Sequence, residues 1–189
     1  MFLSQNAKYI ILDVSTNVQL AILATPNEII SIKKNTLKTT FVSHMVVLIS
    51  EILKENNLSL KDLSGVIVGR GPGSYIGSRL AVLTSKILSL ELGISLFQIS
   101  SLLLLSSGYE DDIITPKIYA KKDFFYSLSL KNKKIILEES IYETNFLNDF
   151  SHHLLLEDQS FKISIEKIFF YMKKVDDVYR FSPNYYTGY

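Results

Sequence analysis

Residues 66–79 read VIVGRGPGSYIGSR, and the order of residue types in that stretch fixes how the chain must turn. Val66, Ile67 and Val68 are a β-branched run that suits a buried strand. After Gly69 and Arg70, Gly71 and Gly73 bracket Pro72, giving a turn that is free in φ at both ends and stiff at its centre. Ser74 then stands where a helix needs its N-cap, with a hydroxyl placed to accept from an amide two or three residues on. Tyr75, Gly77 and Arg79 follow in the first turns of that helix. A glycine loop feeding a helix start can cradle an anion. The spacing lacks the Gly-Lys-Ser/Thr of a Walker loop, however, and Gly77 comes four residues after Gly73, outside a GxGxxG frame. A tight turn that lets helix and strand pack closely explains the glycines equally well.

Working outward, residues 9–13, 19–24 and 28–33 read as three short strands separated by turn residues, and 40–56 as a helix. Residues 59–62 are a turn or short helix, and 65–69 the strand that enters the glycine turn. The second helix runs over 74–92, with Gly93 as its C-terminal stop. A strand over 94–99 and a short helix over 100–107 complete the series. After Gly108 the pattern restarts: strands over 113–120, 124–130 and 134–139, then a strand near 153–156 and a helix near 164–174. Three strands and then helices, twice over, predict an α/β chain of two related lobes, 1–108 and a smaller 109–189.

Charge is balanced at 20 Lys+Arg against 19 Asp+Glu, so the footprint of a stand-alone nucleic-acid binder is missing. The short lysine clusters read as solvated turns. With no cysteine, thiolate metal sites, cysteine nucleophiles and disulfides are excluded. Residues 1–8 have no signal pattern, and no apolar run approaches the ~20 residues that span a bilayer, so a cytoplasmic protein without membrane contact is expected. Basic residues are nearly all lysine; the arginines are Arg70, Arg79 and Arg180. Where lysine is so favoured, a retained arginine points to a need for its planar fork of donors.

As a string, GRGPGSYIGSR (69–79) resembles the signature of the TsaB (YeaZ) family, which usually reads GxGPGS(F/Y)TGxR. Supporting matches keep the same order along the chain. YIILDVST (9–16) is similar to the family's opening ILAIDTS, and Ser43–His44 to its H-S/T-x-x-L-x-P helix. IYAKKDFFY (118–126) is similar to IDARRGEVY, and Pro183 with Tyr185 to the terminal P-x-Y-L-R. Departures fall at Ile76, where Thr is common, Tyr119 (Asp), Lys122 (Arg), and Tyr186–Thr187 (Leu-Arg). The resemblance implies an actin-like (ribonuclease H-like) fold with mixed sheets and helices packed on them. It implies a partner subunit that binds TsaD and supports threonylcarbamoyl transfer to tRNA adenosine, with the ATPase TsaE as third component. Alone, such a subunit is expected to dimerise, and to meet tRNA only through the complex. ATP, ADP and metal are expected on partner subunits or at the shared interface.

The residues themselves argue against chemistry of the chain's own. Actin-like nucleotide binding normally needs a D-x-G-T loop after the first strand; here Asp13-Val14-Ser15-Thr16 puts a side chain where backbone amides must approach phosphate. TsaD holds metal with a helical His-x-x-x-His pair, whereas His44 is followed at i+4 by Leu48. His152 and His153 are adjacent and diverge. No Gly-x-Ser-x-Gly elbow occurs. No catalytic, cofactor-binding or metal residue is therefore expected. The alternative is an independent actin-like ATPase or kinase using Asp13, Thr16 and the 71–74 turn.

What remains is surface. On the first helix Phe41, Val42, Met45, Val46, Leu48, Ile49, Ile52 and Leu53 form an apolar arc of about 160°, wider than the ~100° one core requires. Val42, Met45, Val46, Ile49 and Leu53 are thus candidates for a partner interface. On the second helix Ile76, Leu80, Leu83, Ile87 and Leu90 share one face. Ser74, Ser78, Ala81, Ser85 and Ser89 form a small-residue stripe opposite, which allows another helix to come close. Ser78, Ala81, Ser85 and Ser89 are expected there.

Overall fold

The computed structural model describes residues 4–36 and 44–186. Strands β1 (Lys8–Asp13), β2 (Gln19–Ala24) and β3 (Ile29–Asn35) form an antiparallel meander. Helix α1 (His44–Glu55) crosses to β4 (Leu63–Gly69), which lies parallel to β1, and α2 (Tyr75–Leu92) crosses to the parallel β5 (Ser95–Ile99). A short α3 (Ser101–Leu105) leads to β6 (Ile113–Lys121), β7 (Phe124–Lys131) and β8 (Lys134–Glu143), again antiparallel. Helix α4 (Thr144–Leu147), β9 (His153–Leu155), α5 (Ile165–Tyr171) and β10 (Lys173–Lys174) follow, and single 3-10 turns at Leu60–Asp62 and Asp158–Ser160 complete the described elements. One sheet has the order β10-β5-β4-β1-β2-β3 and the other β8-β7-β6-β9. The last strand thus leaves the second half of the chain and pairs antiparallel with β5 in the first sheet.

The apolar run of β1 is explained by a sheet covered on both sides. Ile10 and Leu12 join Val66, Val68 and Leu96 under α1 and α2. Tyr9 and Ile11 point the other way, into a cluster with Ile67, Phe97, Leu102, Leu104, Ile118, Leu128 and Ile168. That second cluster contains residues of both sheets and of α5. The apolar side of the second sheet therefore packs into the same core as the underside of the first.

The two long helices lie on the first sheet in opposite senses. Helix α1 buries Met45, Leu48, Ile49, Ile52 and Leu53, as an amphipathic helix should. Helix α2 buries Gly77, Ser78, Ala81, Val82, Ser85 and Ser89, so its small-residue stripe faces the sheet. Small side chains let the helix axis come close: a Cβ on Gly77 would lie 1.9 Å from the Val14 carbonyl oxygen. The consequence is that Ile76, Leu83, Ile87 and Leu90 point outward, at 63, 58, 51 and 41 % exposure. At the far end Gly93 adopts φ 64 and donates its amide to Ser89, the stop read from the sequence. The helix expected near 164–174 ends at Tyr171, and Lys173–Lys174 form the edge strand instead.

Candidate functional site

The glycine turn lies where β4, the β1–β2 turn and the start of α3 converge. Ser74 caps α2 as its sequence position requires, accepting from the Gly77 amide at 3.1 Å. The Ser74 amide in turn donates to the Ser15 carbonyl at 2.7 Å. Gly73 has φ 152, and a Cβ there would lie 2.1 Å from that same carbonyl oxygen, so no other residue fits without moving one of the two turns. Gly71 donates to the Ser101 hydroxyl at 3.0 Å and accepts from the Ser101 amide at 2.9 Å. Gly69, Gly71, Pro72 and Gly77 are buried, while Tyr75 and Arg79 face solvent.

Asp13 sits beneath this turn and is 1 % exposed. Its Oδ1 accepts from the Ser15 amide at 2.9 Å and the Ser15 hydroxyl at 2.7 Å, and its Oδ2 from the Ser101 hydroxyl at 2.5 Å. Burial pushes the Asp13 carboxyl above the ordinary carboxylate range, against the opposing pull of these hydrogen bonds. Both oxygens are thus engaged by the chain itself.

A second carboxylate joins segments that are far apart in sequence. Glu139, on β8, accepts from the Ser100 hydroxyl, from Asn184 Nδ2 at 2.8 Å and from the Tyr186 hydroxyl at 3.0 Å. Burial raises its pKa, and these hydrogen bonds and the charge of Arg70 pull it back. Arg70 donates from Nη1 to Gln98 at 2.5 Å and stacks 5.9 Å from the Phe181 ring. Its carbonyl accepts from the Asn184 amide at 2.7 Å. Neither Glu139 nor Gln98 stood out in the sequence, where no motif marks them. The retained arginines and the Pro183–Tyr185 match were the available signals.

The expected interface residues divide. Val46 is 65 % exposed. Met45, Ile49, Leu53, Ser78, Ala81, Ser85 and Ser89 are buried within the chain, so the stripe meets the sheet and not another helix. Val42 lies outside the described residues. The opposite face of α2 is the exposed one. Between the helices runs an open apolar groove of about 710 Å³, lined by Val46, Ile49, Leu53, Leu58, Ile87 and Leu88 among others. Among the described residues, no three His, Asp or Glu side chains come together as a metal-binding group, and no helix is long and apolar enough to cross a membrane.

Comparison with known proteins gives a consistent set of likenesses. Residues 34–148 match the family model described as TsaD, tRNA N6-adenosine threonylcarbamoyltransferase. Over 172 residues the chain is 27 % identical to the tRNA threonylcarbamoyladenosine biosynthesis protein TsaB of Buchnera aphidicola, covering 84 % of this chain and 76 % of that one. It is 30 % identical over 101 residues to the TsaB of Bacillus subtilis, covering 52 % of this chain and 44 % of that one. In fold, it is similar to a crystal structure described by its likeness to peptidase YeaZ from Pseudomonas aeruginosa. There the TM-score is 0.75 at 16 % identity, over 96 % of this chain and 100 % of that one. YeaZ from Pseudomonas aeruginosa gives 0.63 at 19 % identity, over 72 and 67 %.

Proposed function

This chain belongs to the TsaB (YeaZ) family, with its actin-like fold, and from that premise we propose that it acts in tRNA threonylcarbamoyladenosine biosynthesis as a partner subunit without a catalytic centre of its own. The observation that carries the reading is the outward apolar face of α2. Ile76, Leu83, Ile87 and Leu90 are exposed along α2, and Ile87 faces the exposed Val46 across the groove; apolar surface of this kind is normally covered by association. The partner on this face is a TsaD-type catalytic subunit. When that subunit is absent, a second copy of this chain covers the same patch.

The sealed Asp13 supports the absence of a nucleotide site in the chain itself. A carboxylate that already accepts three hydrogen bonds and is out of reach of solvent cannot order water around a magnesium ion. Nucleotide and metal belong to the partners or to the seam between them, and tRNA is met through the assembled complex, with a TsaE-type ATPase as third component.

The test is a binding titration of the TsaD-type subunit from the same genome against wild type and Leu83→Glu. A charge placed mid-patch is buried unpaired on docking, so binding should weaken by about 3 kcal/mol, roughly a hundredfold. Circular dichroism should be unchanged, because Leu83 is exposed in the lone chain. Wild-type affinity in a folded Leu83→Glu protein removes the reading. Tight ATP binding by the isolated chain, lost in Asp13→Asn, favours the actin-like ATPase instead.

A further inference from the structure

Residues 181–186 cross the start of α2 as an extended strap. Lys86 of α2 donates to the carbonyls of Tyr179 and Phe181, at 2.8 and 3.0 Å. Asn184 is anchored by its amide to Arg70 and by its side chain to Glu139, so the strap is fixed on both sides of Tyr185. Tyr185 itself turns toward α2. Its ring lies 5.2 Å from that of Tyr75, and its hydroxyl accepts from Arg79 Nε at 2.9 Å. The Arg79 guanidinium lies 4.1 Å from the Tyr75 ring and 5.9 Å from the Tyr185 ring. Tyr75 and Tyr185 remain 55 and 41 % exposed, beside Ile76 at the edge of the apolar face.

Arg79 is held but not neutralised. Among the described residues no carboxylate lies within ion-pair distance of it. Its Nε donates to Tyr185, so the end of the fork formed by the two terminal amino groups is not the part that this bond uses. A guanidinium that is packed against aromatic rings, fixed at one nitrogen and unmatched in charge is suited to receive a carboxylate in bidentate fashion. Tyrosine and arginine are also the residues that concentrate binding energy where they are pre-ordered at an interface.

We infer that the strap is part of the docking face: Tyr75 and Tyr185 present Arg79 to a carboxylate side chain of the TsaD-type partner at the rim of the apolar patch. The inference rests on the partner-docking reading and specifies one polar contact within it. The glycine-turn motif and the Pro183–Tyr185 motif, a hundred residues apart, then serve one surface.

The experiment measures affinity of the TsaD-type subunit for wild type, Arg79→Lys, Arg79→Ala, Tyr185→Phe and Leu83→Glu at low and moderate salt. Arg79→Lys keeps the charge but loses the fork, and should bind about tenfold more weakly. Tyr185→Phe keeps the ring and loses the bond that orients Arg79, with a loss of about threefold to tenfold expected. Arg79→Ala should also reduce the salt dependence of binding, a readout that a purely structural tie between strap and helix leaves unmoved. If Arg79→Lys, Arg79→Ala and Tyr185→Phe all bind as wild type while Leu83→Glu does not, the strap is only structural and the inference falls with the docking reading intact. If Leu83→Glu binds as wild type, the docking reading falls and the inference with it.

Discussion

Helices α1 and α2 lie side by side on one face of the same sheet, yet they obey different rules. The first is an ordinary amphipath whose large apolar residues meet the sheet. The second places serine, alanine and glycine on the sheet and leaves isoleucine and leucine outside. What separates them is distance. Where the sheet already supplies Ile10, Leu12, Val66 and Val68, a helix with small residues fills the remaining space only by coming close, and its larger side chains have room only on the far side. An apolar helical face therefore reports a surface that must be covered, and the chain's own core is only one of the things that can cover it.

That contrast can be broken by three substitutions. Ile52→Ala on α1 removes a fully buried side chain and should cost about 2–5 kcal/mol in urea or thermal unfolding. Ser85→Leu on α2 adds volume where the helix touches the sheet, and should cost about 1–3 kcal/mol although it makes the sequence look more like a normal core helix. Leu83→Ser should change stability by no more than ~0.5 kcal/mol, since its side chain is already in solvent. A stabilising Ser85→Leu, or a Leu83→Ser that costs as much as Ile52→Ala, would show α2 rotated from the position described.

The order of strands and helices was legible because periodicity and turn residues are local. The meander, the strand into the glycine turn, the Ser74 cap and the Gly93 stop all follow from neighbours within a few positions. The facing of α2 was not legible, because the pattern gives two distinct faces and not the depth at which the helix packs. On that account Ser78, Ala81, Ser85 and Ser89 were expected at an interface and lie instead against the sheet. The Glu139 junction was hidden for another reason: Ser100, Glu139, Asn184 and Tyr186 come from three separated segments, and only the folded chain brings them together. Two of the three arginines contact the strap, Arg70 through its backbone carbonyl and the Phe181 ring and Arg79 through the Tyr185 hydroxyl.

The return of the last strand to the first sheet also sets an order in time. As synthesis proceeds from the N-terminus, β1 to β5 and the glycine turn emerge first, with the outer edge of β5 unpaired. That edge is paired by Lys173–Lys174, and the ties of Asn184 and Tyr186 to Arg70 and Glu139 are added later still. A nascent chain stalled before residue 173 thus carries an open sheet edge and the outward face of α2 together, two surfaces prone to adventitious association. Pairing of Lys173–Lys174 with β5 removes the first of them and leaves the second exposed.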